Sequence, residues 1–278
     1  MADDLFRIGS NIQALNSLSS LVNVNKQITN HQYRLSTGKR INSAQDDTAG
    51  FSIAKELQSR VSALKQSYSN VSNAKAILGI AEGGYQAQMD ILQTIKDKVI
   101  QAADDAMDSD QRTAINNQVS ALLSELDDIS SQTKWNGTGL LSGTARTFHV
   151  GADATDTLAV TLDTSTSAAV GNDNTDLSAV SLTTQASAAA AISTVDTAIS
   201  SLSESIQEVG DTQARLSTKE NTLSISITNT ESVRSAIEDA DFAREQMEVM
   251  KLQILQQTAL ASFAQANAAP QSVLSLFN

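Results

Sequence analysis

Between Ile192 and Ile237 the chain can be stepped in alternating threes and fours through Ile192, Val195, Ile199, Leu202, Ile206, Val209, Gln213, Leu216, Glu220, Leu223, Ile227, Thr230, Arg234 and Ile237. All but Gln213, Glu220, Thr230 and Arg234 are apolar. A hydrophobic repeat of about 3.5 residues held this long describes a helix of about 70 Å with one narrow apolar stripe. Such a rod cannot bury its stripe against itself, so other helices must cover it. Leu57, Leu64, Val71, Leu78, Tyr85, Leu92 and Val99 recur every seven residues, and Ile115, Val119, Leu122, Leu126 and Ile129 repeat the spacing of fours and threes. Three compatible seams predict a mainly α fold built as a long antiparallel coiled-coil bundle.

Composition agrees with thin helical layers, since aromatic residues make up only 4% of the 278 residues and Pro270 is the one proline. A net charge of −12 and a pI near 4.5 argue against nucleic-acid or anionic-membrane partners, which are recruited by clustered Lys and Arg. Without cysteine there is neither a disulfide framework nor a thiolate metal site. No apolar run reaches the roughly 18 residues of a membrane span. The first thirty residues also lack the order of a cleavable signal, so a chain that leaves the cell does so by a route independent of one.

Taken in order, the N-terminal segment carries Ile8, Ile12, Leu15, Leu18 and Val22, then Leu21, Val24, Ile28 and Leu35. Apolar residues thus cover more than one side of a helix, which implies several neighbours and points to self-association. Arg34 to Gly50 breaks the pattern with Gly38, Gly50 and the capping residues Asn42, Ser43, Asp46, Asp47 and Thr48, a structured loop between two helical systems. A long helix is expected from about Ser52 to Ala103, with Gly79, Gly83 and Gly84 marking close packing or a bend. Asp104 to Asp110 reads as a solvated acidic turn in which Asp108 or Ser109 caps a helix beginning near Gln111. Trp135 to Gly139 makes a turn, and the runs 147–150 and 158–162 flank GADATD as a β-hairpin. Thr164 to Ser187, rich in Ser, Thr and Ala, reads as a surface loop. The C-terminal helix shows two stripes: Phe242, Val249, Leu252, Ala259 and Phe263, and Met247, Met250, Ile254, Ala261 and Ala264. Two over-apolar chain ends are most simply explained if they pair with each other and with neighbouring copies.

A search for chemistry returns structural readings. His31 lies on the Leu21, Val24, Ile28, Leu35 stripe and His149 in a predicted strand, both read as packing residues. Asp46 with Asp47, and Glu238 and Asp239 with Asp241, read as caps and loop salt bridges. The sequence holds no HExxH, phosphate-binding loop, GxSxG or dinucleotide motif. The acidic turn lacks the glycine and glutamate of a calcium loop. No enzymatic activity, metal or cofactor is expected.

RLSTGKRINSAQDDTAGFSIA (Arg34 to Ala54) resembles the N-terminal signature of bacterial flagellins. AIEDADFARE (Ala236 to Glu245), ILQQ (Ile254 to Gln257), QAN (Gln265 to Asn267) and PQSVLSL (Pro270 to Leu276) resemble the C-terminal one. AEGGYQAQMDILQTI (Ala81 to Ile95) and WNGTGLLSG (Trp135 to Gly143) fit as well, and the resemblance spans nearly the whole chain apart from about residues 144–190. The opening MADDLFRIGSN is slightly longer and more acidic than the usual start. The resemblance implies an inner filament-core domain of paired terminal helices, residues 1–44 plus 238–278. It implies an outer-tube domain of long helices, residues 45–237, with a β-hairpin, a short Ser/Thr-rich loop at about 140–187 and no further protruding domain. It also implies self-assembly into an extracellular flagellar filament for swimming, secretion through the flagellar export apparatus, a chaperone on the C-terminal segment, and cap and hook-junction partners. The residues assigned to polymerisation are Ile8, Ile12, Leu15, Leu21, Ile28, Leu35, Phe242, Val249, Leu252, Ile254 and Phe263, on segments expected to be poorly ordered until assembly. Where the pattern recognised by the vertebrate Toll-like receptor has Arg, Leu and Glu, this chain has Thr94, Lys98 and Gln118, which implies weak or no recognition. A hook-filament junction protein shares the terminal motifs but not the complete central pattern. A signalling coiled coil shares the heptads but leaves both terminal signatures unexplained.

Overall fold

A computed structural model describes the backbone of residues 11–274 and the side chains to residue 268. Among the described residues five helices and three small antiparallel hairpins follow one another: α1 (Ile12–Thr37), α2 (Thr48–Ala103), α3 (Ser109–Gln132), β1 (Lys134–Trp135) with β2 (Thr138–Gly139), β3 (Ala145–His149) with β4 (Thr157–Thr161), β5 (Ser165–Thr166) with β6 (Ala169–Val170), α4 (Gln185–Glu238) and α5 (Phe242–Leu274). The chain divides into two compact units, Met1–Ser59 with Asn229–Asn278, and Arg60–Thr228. The mainly α architecture with a β-hairpin is as the sequence predicts.

In the second unit the α2 seam is fully sequestered at Val71, Leu78, Tyr85, Leu92 and Val99. The other half of each heptad is Ala74, Ala81, Gln88, Ile95 and Ala102, also buried and mostly small, which lets neighbouring elements approach closely. On α4 one heptad position is buried without exception from Val195 through Leu202, Val209 and Leu216 to Leu223. The other position departs from the expected seam. Ile192, Ile199, Ile206 and Gln213 are half-buried, and Ala191, Ala198, Ser205 and Thr212 beside them are fully buried. On α3, similarly, Leu122 is half-buried and Leu123 buried. A stripe that faces a single partner keeps to the heptad, whereas one that faces several neighbours widens by a residue.

Local signals act as read. Asp108 accepts from the Asp110 N–H at 2.7 Å while its own N–H donates to Gln111 Oε1 at 3.2 Å, a capping box at the start of α3. Arg112 turns back across the acidic connector and donates to the carbonyls of Ala102 and Asp104. Asn136 and Gly137 at φ 49° and 78° form the two-residue turn of the β1–β2 hairpin. Of Gly79, Gly83 and Gly84, only Gly84 is explained by close packing: a Cβ there would lie 2.7 Å from Thr133 Oγ1. β3 and β4 pair from Ala145 with Thr161 to His149 with Thr157, two residues longer at the start than expected.

Residues 164–187 are not the plain surface loop expected from their composition. They contribute β5, β6 and three fully buried apolar side chains, Val170, Leu177 and Leu182. Polar residues make this possible by pairing with one another. Gln88 donates to the Leu126 and Ser165 carbonyls at 3.1 and 2.9 Å, and the Ser165 hydroxyl returns a bond to Gln88 Oε1. Asp127 accepts from both the N–H and the hydroxyl of Ser167 at 2.6 and 2.7 Å. Tyr85 donates to the Asp163 carbonyl at 2.7 Å, and burial pushes its phenol well above the ordinary range. Part of a composition that looks solvated is therefore internally satisfied and packed, while Asn172, Asp173, Asn174 and Asp176 stay exposed.

Candidate assembly surface

The first unit is built on the pairing of α1 with α5. Asn11 caps α1 by accepting from the Ala14 N–H at 3.0 Å, and its own amide donates to the Ala266 carbonyl at 2.7 Å. Asp241 caps α5 by accepting from the Ala243 and Arg244 N–H groups. One stripe of each helix is withdrawn from solvent: Ala14 and Ile28 buried, with Ile12, Leu21, Val24 and Leu35 half-buried, on α1; Val249, Leu252 and Ala266 buried, with Ala259 and Phe263 half-buried, on α5. Gln256 of α5 adds a bond to Asn25 Oδ1 at 2.6 Å. Both segments are helical throughout their described lengths, and the expectation that they lack order meets here a pair that buries one stripe from each.

The loop after α1 is locked to the turn between α4 and α5. Gly38 sits at φ 71° as the left-handed cap of α1, its N–H bonded to the Arg34 carbonyl. Its own carbonyl accepts from the Ala240 N–H, and the Arg40 N–H donates to the Glu238 carbonyl at 2.7 Å. The Glu238 carboxylate is buried and held by Lys39 Nζ at 2.6 Å and by Arg234. Burial pushes this carboxyl up, but the bonds from Lys39 and Arg234 outweigh it and hold it below the ordinary glutamate range. Asp46 accepts from the Ser43 and Asn42 N–H groups, and those backbone bonds lower its pKa. Asp47 accepts from the Gly50 N–H at 3.0 Å. These carboxylates act as caps and loop salt bridges, as read from the sequence.

Two histidine readings are corrected. His31 is not a simple packing residue, because its Nδ1 bonds to Glu245 Oε2 at 2.5 Å, with Arg34 at 3.7 Å from the other Glu245 oxygen. A carboxylate on the buried face of α5 requires a polar partner, and His31 supplies it. His149 is exposed on β3 because the alternation of that strand turns it outward. Sequence reading did not find the links from His31 to Glu245 or from Lys39 to Glu238. Opposite charges at unrelated positions carry no register until two segments are side by side.

What distinguishes the α1–α5 pair is the apolar surface it leaves uncovered. On α1, Leu15, Leu18, Val22 and Tyr33 are exposed, and on α5, Phe242, Met247, Met250, Ile254, Leu255 and Leu260 are exposed. Of the residues assigned to polymerisation, Ile28, Val249 and Leu252 are buried in the pair, and Ile12, Leu21, Leu35 and Phe263 are half-buried. Leu15, Phe242 and Ile254 lie open, and Ile8 falls outside the described residues. Leu255 and Leu260 escaped the sequence reading because they fall between its two stripes. An uncovered apolar surface on this scale marks an interaction site. Elsewhere, Thr94 on α2 and Gln118 on α3 are exposed and Lys98 is half-buried. No metal-binding cluster occurs among the described residues, and no described helix is long and apolar enough to cross a membrane.

The bacterial flagellin N-terminal helical region matches residues 8–146, and the bacterial flagellin C-terminal helical region matches residues 192–277. Among curated relatives, flagellin FlaB1 of Treponema pallidum is 33% identical over 282 residues, covering 97% of this chain and 99% of that protein. The flagellin of Bacillus subtilis is 32% identical over 302 residues, with the same coverage of each. The flagellar filament 33 kDa core protein of Treponema phagedenis is 32% identical over 288 residues, again covering 97% and 99%. In fold, the chain is similar to a structure from Vibrio parahaemolyticus assigned as a flagellar hook-associated protein, with a TM-score of 0.59 and 17% identity over 70% of this chain and 100% of that one. Two family regions that between them take in the heptad helices, together with relatives matched from end to end, show that this chain belongs to the bacterial flagellin family.

Proposed function

We propose that this chain is the structural subunit of a bacterial flagellar filament, self-assembling outside the cell into the helical propeller of swimming. The observation that carries the reading is the α1–α5 pair, which buries one stripe of each helix and leaves Leu15, Leu18, Val22, Met247, Met250 and Ile254 in water. Each such side chain gains about 1.5–3 kcal/mol when fully buried, so a tube of sister copies is the arrangement that completes the burial. The polymerisation residues then divide by role. Ile28, Val249 and Leu252 hold the pair together, while Leu15, Phe242 and Ile254 meet neighbours. Residues 1–44 with 238–278 would line the filament core, and residues 45–237 would form the surrounding tube.

Assembly outside the cell requires passage through the flagellar export apparatus, with a chaperone covering the C-terminal segment beforehand and cap and hook-junction proteins at the two ends of the filament. Thr94, Lys98 and Gln118 place neutral or cationic groups where receptor contacts rely on a guanidinium, an apolar side chain and a carboxylate, so innate-receptor activation should be weak or absent. A reporter-cell response matching that of an enteric flagellin would refute this. The main test is electron microscopy of purified subunits added to filament seeds. The full chain should elongate seeds into long tubes, and a chain lacking residues 1–40 should stay helical over 57–237 without elongating them. Tubes formed by the truncated chain would overturn the role given to the terminal helices.

A further inference from the structure

The uncovered face of α5 contains two of the chain's five methionines. Met247 is 59% exposed and Met250 49% exposed. They stand three residues apart, one helical turn from Ile254 at 66%, and so form a continuous patch. The α1-facing row of Glu245, Val249, Leu252 and Ala266 occupies the other side of the helix. By contrast, Met89 is half-buried against the core of the second unit and Met107 is half-buried beside the acidic turn. The chain has no cysteine to compete for oxidant.

Resting on the reading that this face joins a neighbouring subunit, we propose that Met247 and Met250 form an oxidation site that controls whether a free subunit can enter the filament. The chemistry is two-electron transfer of oxygen from a hydroperoxide. The thioether sulfur attacks the distal peroxide oxygen, the O–O bond breaks, an S=O bond forms, and the hydroperoxide leaves as water or alcohol. Sulfur is oxidised and peroxide reduced, with no further co-reactant. The product replaces a flexible apolar side chain with a polar sulfoxide. Its oxygen needs a hydrogen-bond partner that an apolar interface does not offer. The α1–α5 pair survives the change, because neither sulfur belongs to the row that holds it. The lesion therefore blocks joining without unfolding the subunit, and a sulfoxide reductase acting on the free subunit reverses it.

The test treats full-length subunits with hydrogen peroxide, locates the oxidised residues by mass spectrometry, and measures seeded elongation beside far-UV circular dichroism. Met247 and Met250 should oxidise before Met89 and Met107, helicity should be unchanged, and elongation should fall about tenfold or more. The double variant Met247→Leu/Met250→Leu should elongate seeds whether or not it has met peroxide, and methionine sulfoxide reductase should restore the oxidised wild type. Oxidised wild type that elongates at the untreated rate, or a double variant as sensitive as wild type, would overturn the proposal. Untreated wild type that fails to elongate seeds would instead remove the filament reading itself, and the oxidation control with it.

Discussion

Glu238→Gln is the perturbation whose consequences are most fully determined by the structure. The carboxylate is 5% exposed and accepts from Lys39 at 2.6 Å and from Arg234. Its backbone carbonyl also receives the Arg40 N–H at 2.7 Å. Glutamine preserves the volume and one acceptor but removes the charge that balances two cations. Cutting one partner from a fully buried ion pair costs roughly 3–5 kcal/mol. Here the loss is smaller, because Lys39 is 37% exposed and can turn to water, and Arg234 keeps its bond to Glu231 at 2.7 Å. About 1–3 kcal/mol remains, drawn from the junction between the α1 loop and the α4–α5 turn. Hydrogen exchange at the Arg40 and Ala240 amides reads this directly, and both should exchange about 5- to 150-fold faster at neutral pH. The pH dependence carries a sign. The folded-state carboxyl is held below its ordinary value of 4.5, so the contribution is complete above that value and is lost as pH falls through the lower, folded-state one. Wild-type protection should accordingly decline on acidification below about pH 4.5, and the variant should show little of that decline. Equal protection in both proteins at neutral pH, with the same acid profile, would refute the clamp.

Two further outcomes follow from the packing. Leu202→Ala opens a cavity at a fully buried α4 position and should cost about 2–5 kcal/mol in chemical denaturation, while seeded assembly of the folded fraction persists. Ile254→Asp places a charge on the uncovered face of α5. Helicity and the denaturation midpoint should stay near wild type while elongation of seeds is lost, as electron microscopy would record.

Much of the fold was legible because it rests on long periodicities. The seven-residue series from Val71 to Val99 on α2 and from Val195 to Leu223 on α4 are buried where the heptads put them, since a helix repeats its facing direction regardless of what lies opposite. The capping box at Asp108 and the turn at Asn136 and Gly137 were readable for a related reason, as each is satisfied within a few residues of chain. Composition misleads over residues 164–187, where abundant Ser, Thr and Asp suggest a solvated loop. Ser165 and Ser167 instead find Gln88 and Asp127, dozens of residues away in sequence.

The sequence alone determined that long helices must share seams, that the two chain ends carry more apolar surface than one helical face can use, and that the chain resembles the flagellins. Tertiary structure decided which stripe of each terminal helix is spent on the other. Val249 and Leu252 go inward and Met247, Met250 and Ile254 stay out. It also decided that His31 meets Glu245 and that Lys39 meets Glu238. The reason is physical: periodicity fixes the angle of a side chain about its own helix axis, but which side is covered depends on the register and rotation of a second helix. Only the combined packing and polar pairing of both helices sets that.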